Sequence, residues 1–158
     1  NPYVLEYNVR FGDPETQAVM LRMDGDLLPF LLASARGNFE EGVTPTWRRE
    51  ATACLVLTAE GYPGPYEKGR PITGIEDAET DEGVFVFHGG TATTADGQLV
   101  TAGGRVLNVC ARSRGLSQAL KKARDASEKI HFDGRHFRRD IGKKAMEILM
   151  ERSGSLLR

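Results

Sequence analysis

Glu6, Asn8 and Arg10 stand two residues apart in the stretch LEYNVRF (5–11), on the parity opposite to Leu5, Tyr7, Val9 and Phe11. Such alternation predicts a half-buried strand. Residues two apart in a strand project from one face, roughly 6.6 Å from each other along the chain. A carboxylate and an amide oxygen at that spacing can converge on an ion. Oxygen donors suit a hard cation such as Mg²⁺, commonly held by one or two protein groups and completed by nucleotide phosphates and water. Arg10, next on that face, would lie beside the phosphate-metal cluster, placed to bind an anionic substrate or the charge that develops in phosphoryl transfer. The plainer alternative is a solvated outer face with Glu6 and Arg10 as ordinary surface charges. Alternation alone does not choose between them, because it is the default behaviour of a half-exposed strand.

Other polar residues carry similar pairs of readings. Asp13 and Glu15 fit a helix start, as N-cap and first-turn carboxylate, or direct contact with a substrate. The free N–H groups of that helix would favour an anion near Arg10. In GGRVL, Gly103 and Gly104 let another backbone or a ligand come close, and Arg105 could then reach a carboxylate or phosphate. A bulge with Arg105 snorkelling outward accounts for the same residues. His88, beside Gly89 and Gly90, either faces a cleft or makes a structural hydrogen bond; His131 and His136 are too scattered to complete a metal site with it. GYPGPYEKG lacks the GK[ST] ending of a phosphate-binding loop and does not lie between a strand and a long helix, so it predicts a rigid turn.

The elements that must position these residues follow from periodicity and punctuation. Asp13 as N-cap, Pro14 at the first helical position and Glu15 in the first turn predict a helix directly after the opening strand. A second helix is expected between Gly25 and Gly37, apolar on most sides and therefore buried, with Pro29 tolerated in its first turn. ATACLVLTA (51–59) predicts a strand, followed by a turn-rich loop. EGVFVFHGGT and QLVTAGGRVLNVCA predict two more strands joined through Asp96-Gly97, an antiparallel hairpin signal. In 116–130, Leu116, Leu120, Ala123 and Ile130 form one stripe away from Lys121, Lys122 and Arg124, predicting an amphipathic helix that covers the sheet. DIGKKAMEILMER predicts a last helix. Phe39 and Trp47 read as core or domain-interface aromatics.

Composition narrows the function classes. With 158 residues, 40% hydrophobic and 27% charged, the chain can build one ordinary domain, or a small domain plus part of another. Lys+Arg of 21 against Asp+Glu of 22 leaves no global basic field for nucleic acid or anionic membrane. The basic run RHFRRD, with Lys143 and Lys144 beyond it, then reads as a solvated face or as intrachain ion pairs. Cys54 and Cys110 each sit in an apolar run, where thiols behave as small buried hydrophobes; neither a disulfide nor zinc is expected. No segment has the length of a membrane-spanning helix or the pattern of a signal peptide, and a cytoplasmic location is expected. The abrupt opening on NPYVLEYN reads as the start of an excised piece.

EYNVRFGDPETQ resembles the final strand-turn-helix of the ATP-grasp catalytic region of the phosphoribosylamine-glycine ligase family, also called glycinamide ribonucleotide synthetases. GYPGPYEKG, VFHGGT, TAGGRVLNV and FRRDIG resemble successive signatures of that family's C-terminal domain, in the family's order, over almost the whole chain. The resemblance implies an α+β fold: the C-terminal end of an ATP-grasp domain in residues 1–37, followed in 38–158 by a small antiparallel-sheet C-terminal domain with covering helices. It implies ligation of glycine to 5-phosphoribosylamine with ATP, through glycyl phosphate, in purine biosynthesis. By motif match, Glu6 and Asn8 are ligands for Mg²⁺ or Mn²⁺ bridging ATP phosphates. Arg10 matches the place where such ligases hold an anionic reactant.

The phosphate-covering loop, nucleotide lysines, adenine pocket and N-terminal domain of that family have no counterpart in these residues. An isolated piece of this kind is expected to bind Mg²⁺ weakly and not to turn over. Its partners would be ATP, glycine, 5-phosphoribosylamine and the N-terminal and ATP-binding portions of the same polypeptide, with no nucleic acid or membrane. The competing expectation is a noncatalytic structural or partner-binding module of ligase ancestry. Retention of Glu6, Asn8 and Arg10 together argues against it.

Overall fold

The computed structural model describes residues 3–5, 7, 9–38 and 44–155. Its elements run α1 (Glu15–Met20), β1 (Met23–Asp24), α2 (Leu28–Arg36), β2 (Thr46–Trp47), β3 (Ala51–Thr58), α3 (Ile75–Glu79), β4 (Val84–His88), β5 (Thr91–Thr93), β6 (Leu99–Thr101), β7 (Arg105–Ser113), α4 (Leu116–Lys129) and α5 (Lys143–Ser155). The class is α+β, with small antiparallel sheets. The main sheet has the order β3-β7-β4, while β1 pairs with β2 and β5 with β6.

Strand β7 lies in the middle of the main sheet and is buried from Val106 through Ala111. On one face Ala53, Leu55 and Leu57 stand opposite Ala111, Val109 and Leu107. They pack with Ala119, Leu120, Ala123, Ala126 and Ile130, the apolar stripe of α4 and the residue that ends it. Each large side chain buried there contributes about 1.5–3 kcal/mol. The helix expected over 116–130 therefore covers the sheet as its stripe requires.

The other face carries Cys54 and Val56 opposite Cys110 and Asn108, with Phe85 and Phe87 of β4 beside them. Helix α1 leans on this face: Thr52 Oγ1 donates to the Ala18 carbonyl at 2.9 Å and Arg112 Nη1 to that of Leu21 at 3.2 Å.

The expected hairpin is present but turns a corner. Each of its two long strands divides at a glycine pair, giving β4 and β5 on one side and β6 and β7 on the other. Gly89 and Gly90 both donate to the Val106 carbonyl at 3.0 Å, and Ala102 and Gly103 donate to the Gly90 carbonyl at 2.8 and 3.0 Å. A Cβ on Gly90 would fall 2.6 Å from the Gly103 Cα, a backbone crossing that admits only glycine. The turn at the tip has Gly97 at φ +87°.

Several elements differ from what the sequence predicts. Residues 3–5, 7 and 9–11 form no β-ladder; Leu5, Tyr7 and Val9 are 98, 82 and 92% exposed. Alternation selects two faces, but a strand also needs a hydrogen-bonding neighbour, and none among the described residues lies alongside this stretch. Helix α2 forms where expected and closes on Gly37, φ +64°, with Asn38 N–H bonded to the Ala33 carbonyl at 3.0 Å. It buries none of its residues, and Leu28, Leu31 and Leu32 are exposed, because the described residues supply no apolar surface to cover them. Helix α3 was not anticipated: five residues after Gly74 are too short to display a helical period.

Candidate functional site

Arg105 begins β7 at an irregularity. Leu57 faces Leu107, whereas Thr58 faces Arg105, so Val106 is left without an opposite residue. This bulge turns Arg105 outward while Val106 stays fully buried. Just before it, a Cβ on Gly104 would meet the Tyr62 and Tyr66 rings at 2.3 and 2.9 Å. The close approach expected at Gly103 and Gly104 thus comes from the Gly90 backbone and from two tyrosine rings of the same chain.

The guanidinium of Arg105 reaches back to the turn that precedes α1. Its Nη1 donates to the Asp13 main-chain carbonyl at 2.9 Å, and its Nε lies 3.5 Å from the Asp13 carboxylate. Gln17 Nε2 donates to the same carboxylate at 2.8 Å. Asp13 is therefore not the N-cap expected from its place in the sequence. Pro14 occupies the cap position without a side-chain cap bond, and the carboxylate is turned toward Arg105 and Gln17. Helix α1 has only six residues, so its dipole is short and Asp13 already stands beside its first turn. Glu15 folds over Gly12, its Oε1 only 1.5 Å from where a Gly12 Cβ would be.

Beneath this turn the sheet carries polar groups without partners. Both amide atoms of Asn108, 1% exposed, lack a hydrogen bond among the described residues, as does buried Gln17 Oε1. Cys110 lies next to Asn108 and opposite Cys54 on β3; both thiols are free. A hydrogen bond with Cys54 and burial, with smaller contributions from the charges of Cys54 and Asp13, push the Cys110 thiol well above the ordinary range. It is held protonated, as a structural group and not as a nucleophile.

Glu6 and Asn8, the candidate metal ligands, lie outside the described residues, as does Phe39. Arg10 is exposed, with Nη1 donating to the Phe11 carbonyl at 3.2 Å. His88 Nδ1 lies 2.9 Å from Thr91 Oγ1, across the corner. Among the described residues no group of three or more His, Cys, Asp or Glu side chains could hold a metal ion. The loop over 60–70 is folded against β6: Gly69 N–H donates to the Thr101 carbonyl at 2.7 Å and Thr101 N–H to that of Arg70 at 2.9 Å. It walls an open cleft of about 360 Å³ that includes Glu60, Tyr66, Arg70 and Asp133. The basic run is occupied by intrachain pairs, Arg135 and Arg139 with Glu128 and Arg138 with Asp140.

The corner, the bulge and Arg105 all lie within residues 52–144, which match the family model of the phosphoribosylglycinamide synthetase C domain. That segment is more than half of the chain. The chain belongs to the phosphoribosylglycinamide synthetase C-domain family.

Curated relatives extend the likeness beyond the C-domain segment. The phosphoribosylamine-glycine ligase of Caulobacter vibrioides is 49% identical over 146 residues, covering 92% of this chain and 34% of the relative. The chloroplastic enzyme of that name from Arabidopsis thaliana is 43% identical, covering 92% of this chain and 27% of its own length. A solved structure of phosphoribosylamine-glycine ligase from Thermotoga maritima is 40% identical with a TM-score of 0.69, covering 89% of this chain and 33% of that one. The C-domain chain thus spans about a third of the length of the relatives it matches. Nothing in the sequence located Asp13 beside Arg105, since 92 residues separate the two and no local pattern links them.

Proposed function

We propose that this chain is the C-terminal part of a phosphoribosylamine-glycine ligase. What carries the proposal is the set of relatives bearing that name, 43–49% identical over about nine-tenths of this chain. In the complete enzyme ATP phosphorylates the glycine carboxylate, releasing ADP; the amine of 5-phosphoribosylamine attacks the acyl phosphate, and phosphate leaves as the amide forms. Residues 1–37 would be the end of the ATP-grasp domain and 38–158 the small C-terminal domain.

The donor set of Glu6 and Asn8, a carboxylate and an amide oxygen, fits Mg²⁺ or Mn²⁺. When bound, the cation would neutralise the negative charge of the ATP phosphates during phosphoryl transfer. Glu6 and Asn8 would hold it, and the Arg10 guanidinium would hold the anionic reactant. The exposed apolar residues Val19, Leu28, Leu31, Leu32 and Trp47, with Tyr3, Val4, Leu5, Tyr7, Val9 and Phe11, would dock the remaining portions of the ligase. No helix among the described residues is long and apolar enough to cross a membrane.

The test is ADP release with ATP, Mg²⁺, glycine and freshly generated 5-phosphoribosylamine, using this chain alone and then mixed with the rest of the ligase. Activity that appears on mixing and requires both other substrates supports the proposal. Loss of ADP formation in Glu6→Ala, with the fold retained, supports the metal role. A folded complex that stays silent would overturn the proposal in favour of a noncatalytic module.

A further inference from the structure

We propose that Arg105 is a positioning residue of the ligase site: its guanidinium fastens the turn at Gly12, Asp13 and Pro14, and with it the adjoining segment that carries Arg10, to the sheet of the C domain. The inference rests on the ligase reading for its functional half; the fastening itself rests on geometry. The stronger of the two Arg105 contacts goes to a main-chain carbonyl, 2.9 Å from Nη1, so it fixes the path of the chain and not merely one side chain. The carboxylate of the same residue lies 3.5 Å from Nε and is also held by Gln17. Arg10 lies only three residues upstream, so the chain can carry it no more than about 11 Å from Asp13.

The anchor is itself held rigidly, as a positioning group requires. The bulge at Val106 sets the direction of Arg105. The crossing of Gly90 over Gly103 and the tyrosine rings against Gly104 fix the two residues before it. Two donors directed at one residue use the fork of arginine, which lysine, a point charge with no fork, reproduces only in part. The rival reading of Arg105 is direct contact with an anionic substrate. The Nη1 bond to the Asp13 carbonyl and the place of Arg105 at the base of the turn favour the role through Asp13.

Two measurements decide between them. In the 158-residue chain, amide hydrogen exchange over residues 10–18 is expected to rise about tenfold in Arg105→Ala, with α4 unchanged, and to an intermediate degree in Arg105→Lys. In the complete ligase, Arg105→Ala is expected to lower kcat roughly 10- to 100-fold, with KM for ATP, glycine and 5-phosphoribosylamine each changing by less than about threefold. Arg105→Lys should recover part of the loss. Unchanged exchange in Arg105→Ala would overturn the fastening. A KM for one anionic substrate raised tenfold or more, with kcat preserved, would make Arg105 a substrate ligand instead. Should Arg105→Ala fail to fold, the same two readouts on Arg105→Lys apply. The exchange measurement needs no turnover, so failure of the ligase reading would be seen separately from failure of the fastening.

Discussion

Arg105 and Asp13, 92 residues apart in sequence, meet at the mouth of the main sheet through a 2.9 Å hydrogen bond to a carbonyl and a 3.5 Å approach to a carboxylate. The pair is 43 and 40% exposed, so water screens the ionic part. Asp13→Asn, which keeps the main-chain acceptor, is therefore expected to change the unfolding free energy by less than about 1 kcal/mol. Urea denaturation of both proteins checks this. A much larger loss would mean that the carboxylate itself holds the turn.

Leu55 is fully buried midway along β3, on the face of the main sheet that α4 covers. Its replacement by alanine should cost about 2–5 kcal/mol, combining lost transfer energy with an incompletely collapsed cavity. The midpoint of chemical unfolding reports it directly. Leu31→Ala, on the exposed α2, should stay within about 0.5 kcal/mol of wild type.

Gly74 and Gly97 both have positive φ, +83° and +87°, yet predict different penalties. A Cβ at Gly97 has nothing within 4 Å, so Gly97→Ala should cost only the conformational term, about 1 kcal/mol. At Gly74 the Cβ would fall 2.0 Å from the Lys129 carbonyl oxygen, which is backbone and cannot swing aside. Gly74→Ala should cost about 2 kcal/mol or more beyond Gly97→Ala. Equal thermal shifts in the two variants would contradict the packing of α3 against the end of α4.

The Cys110 thiol, pushed up by its bond to Cys54 and by burial, links stability to pH. Folding favours the protonated form, so the benefit is complete below the unfolded thiol pKa of about 8.5 and is lost as pH rises above it. Between pH 8 and 9.5 stability should fall as the unfolded thiol ionises while the folded one keeps its proton. Denaturation at those two pH values, repeated on Cys110→Ala, isolates the effect: the variant should show a flatter profile.

The elements legible in the sequence are those whose signal is local. Strand β3, the Asp96-Gly97 turn and the apolar stripe of α4 each follow from residues within a few positions of one another. The corner of the hairpin was only half legible: paired glycines announce a close approach, but Gly90 and Gly103 do not name each other. Burial of α2 was misjudged because an apolar helix states a need for cover and not its source. Asp13 was misread as a cap because a carboxylate before a helix fits two partners, and Arg105 lies too far along the chain for any window to weigh. Tyr62 and Tyr66, expected only as part of a rigid turn, prove to be the wall behind Gly104.

The corner at Gly89, Gly90, Gly103 and Gly104 also sets where the chain can be altered without disturbing the core. Beyond it, β5 and β6 extend to a tip whose Thr94 accepts from Gly97 N–H at 3.0 Å and bonds Asp96 through its hydroxyl. The tip residues 93–98 are exposed. A short epitope or a dye-bearing peptide spliced between Asp96 and Gly97 would be displayed on a stalk, with the register of β3, β7 and β4 left intact. That makes the tip a natural handle for tethering the domain to a surface or for reporting its docking by fluorescence.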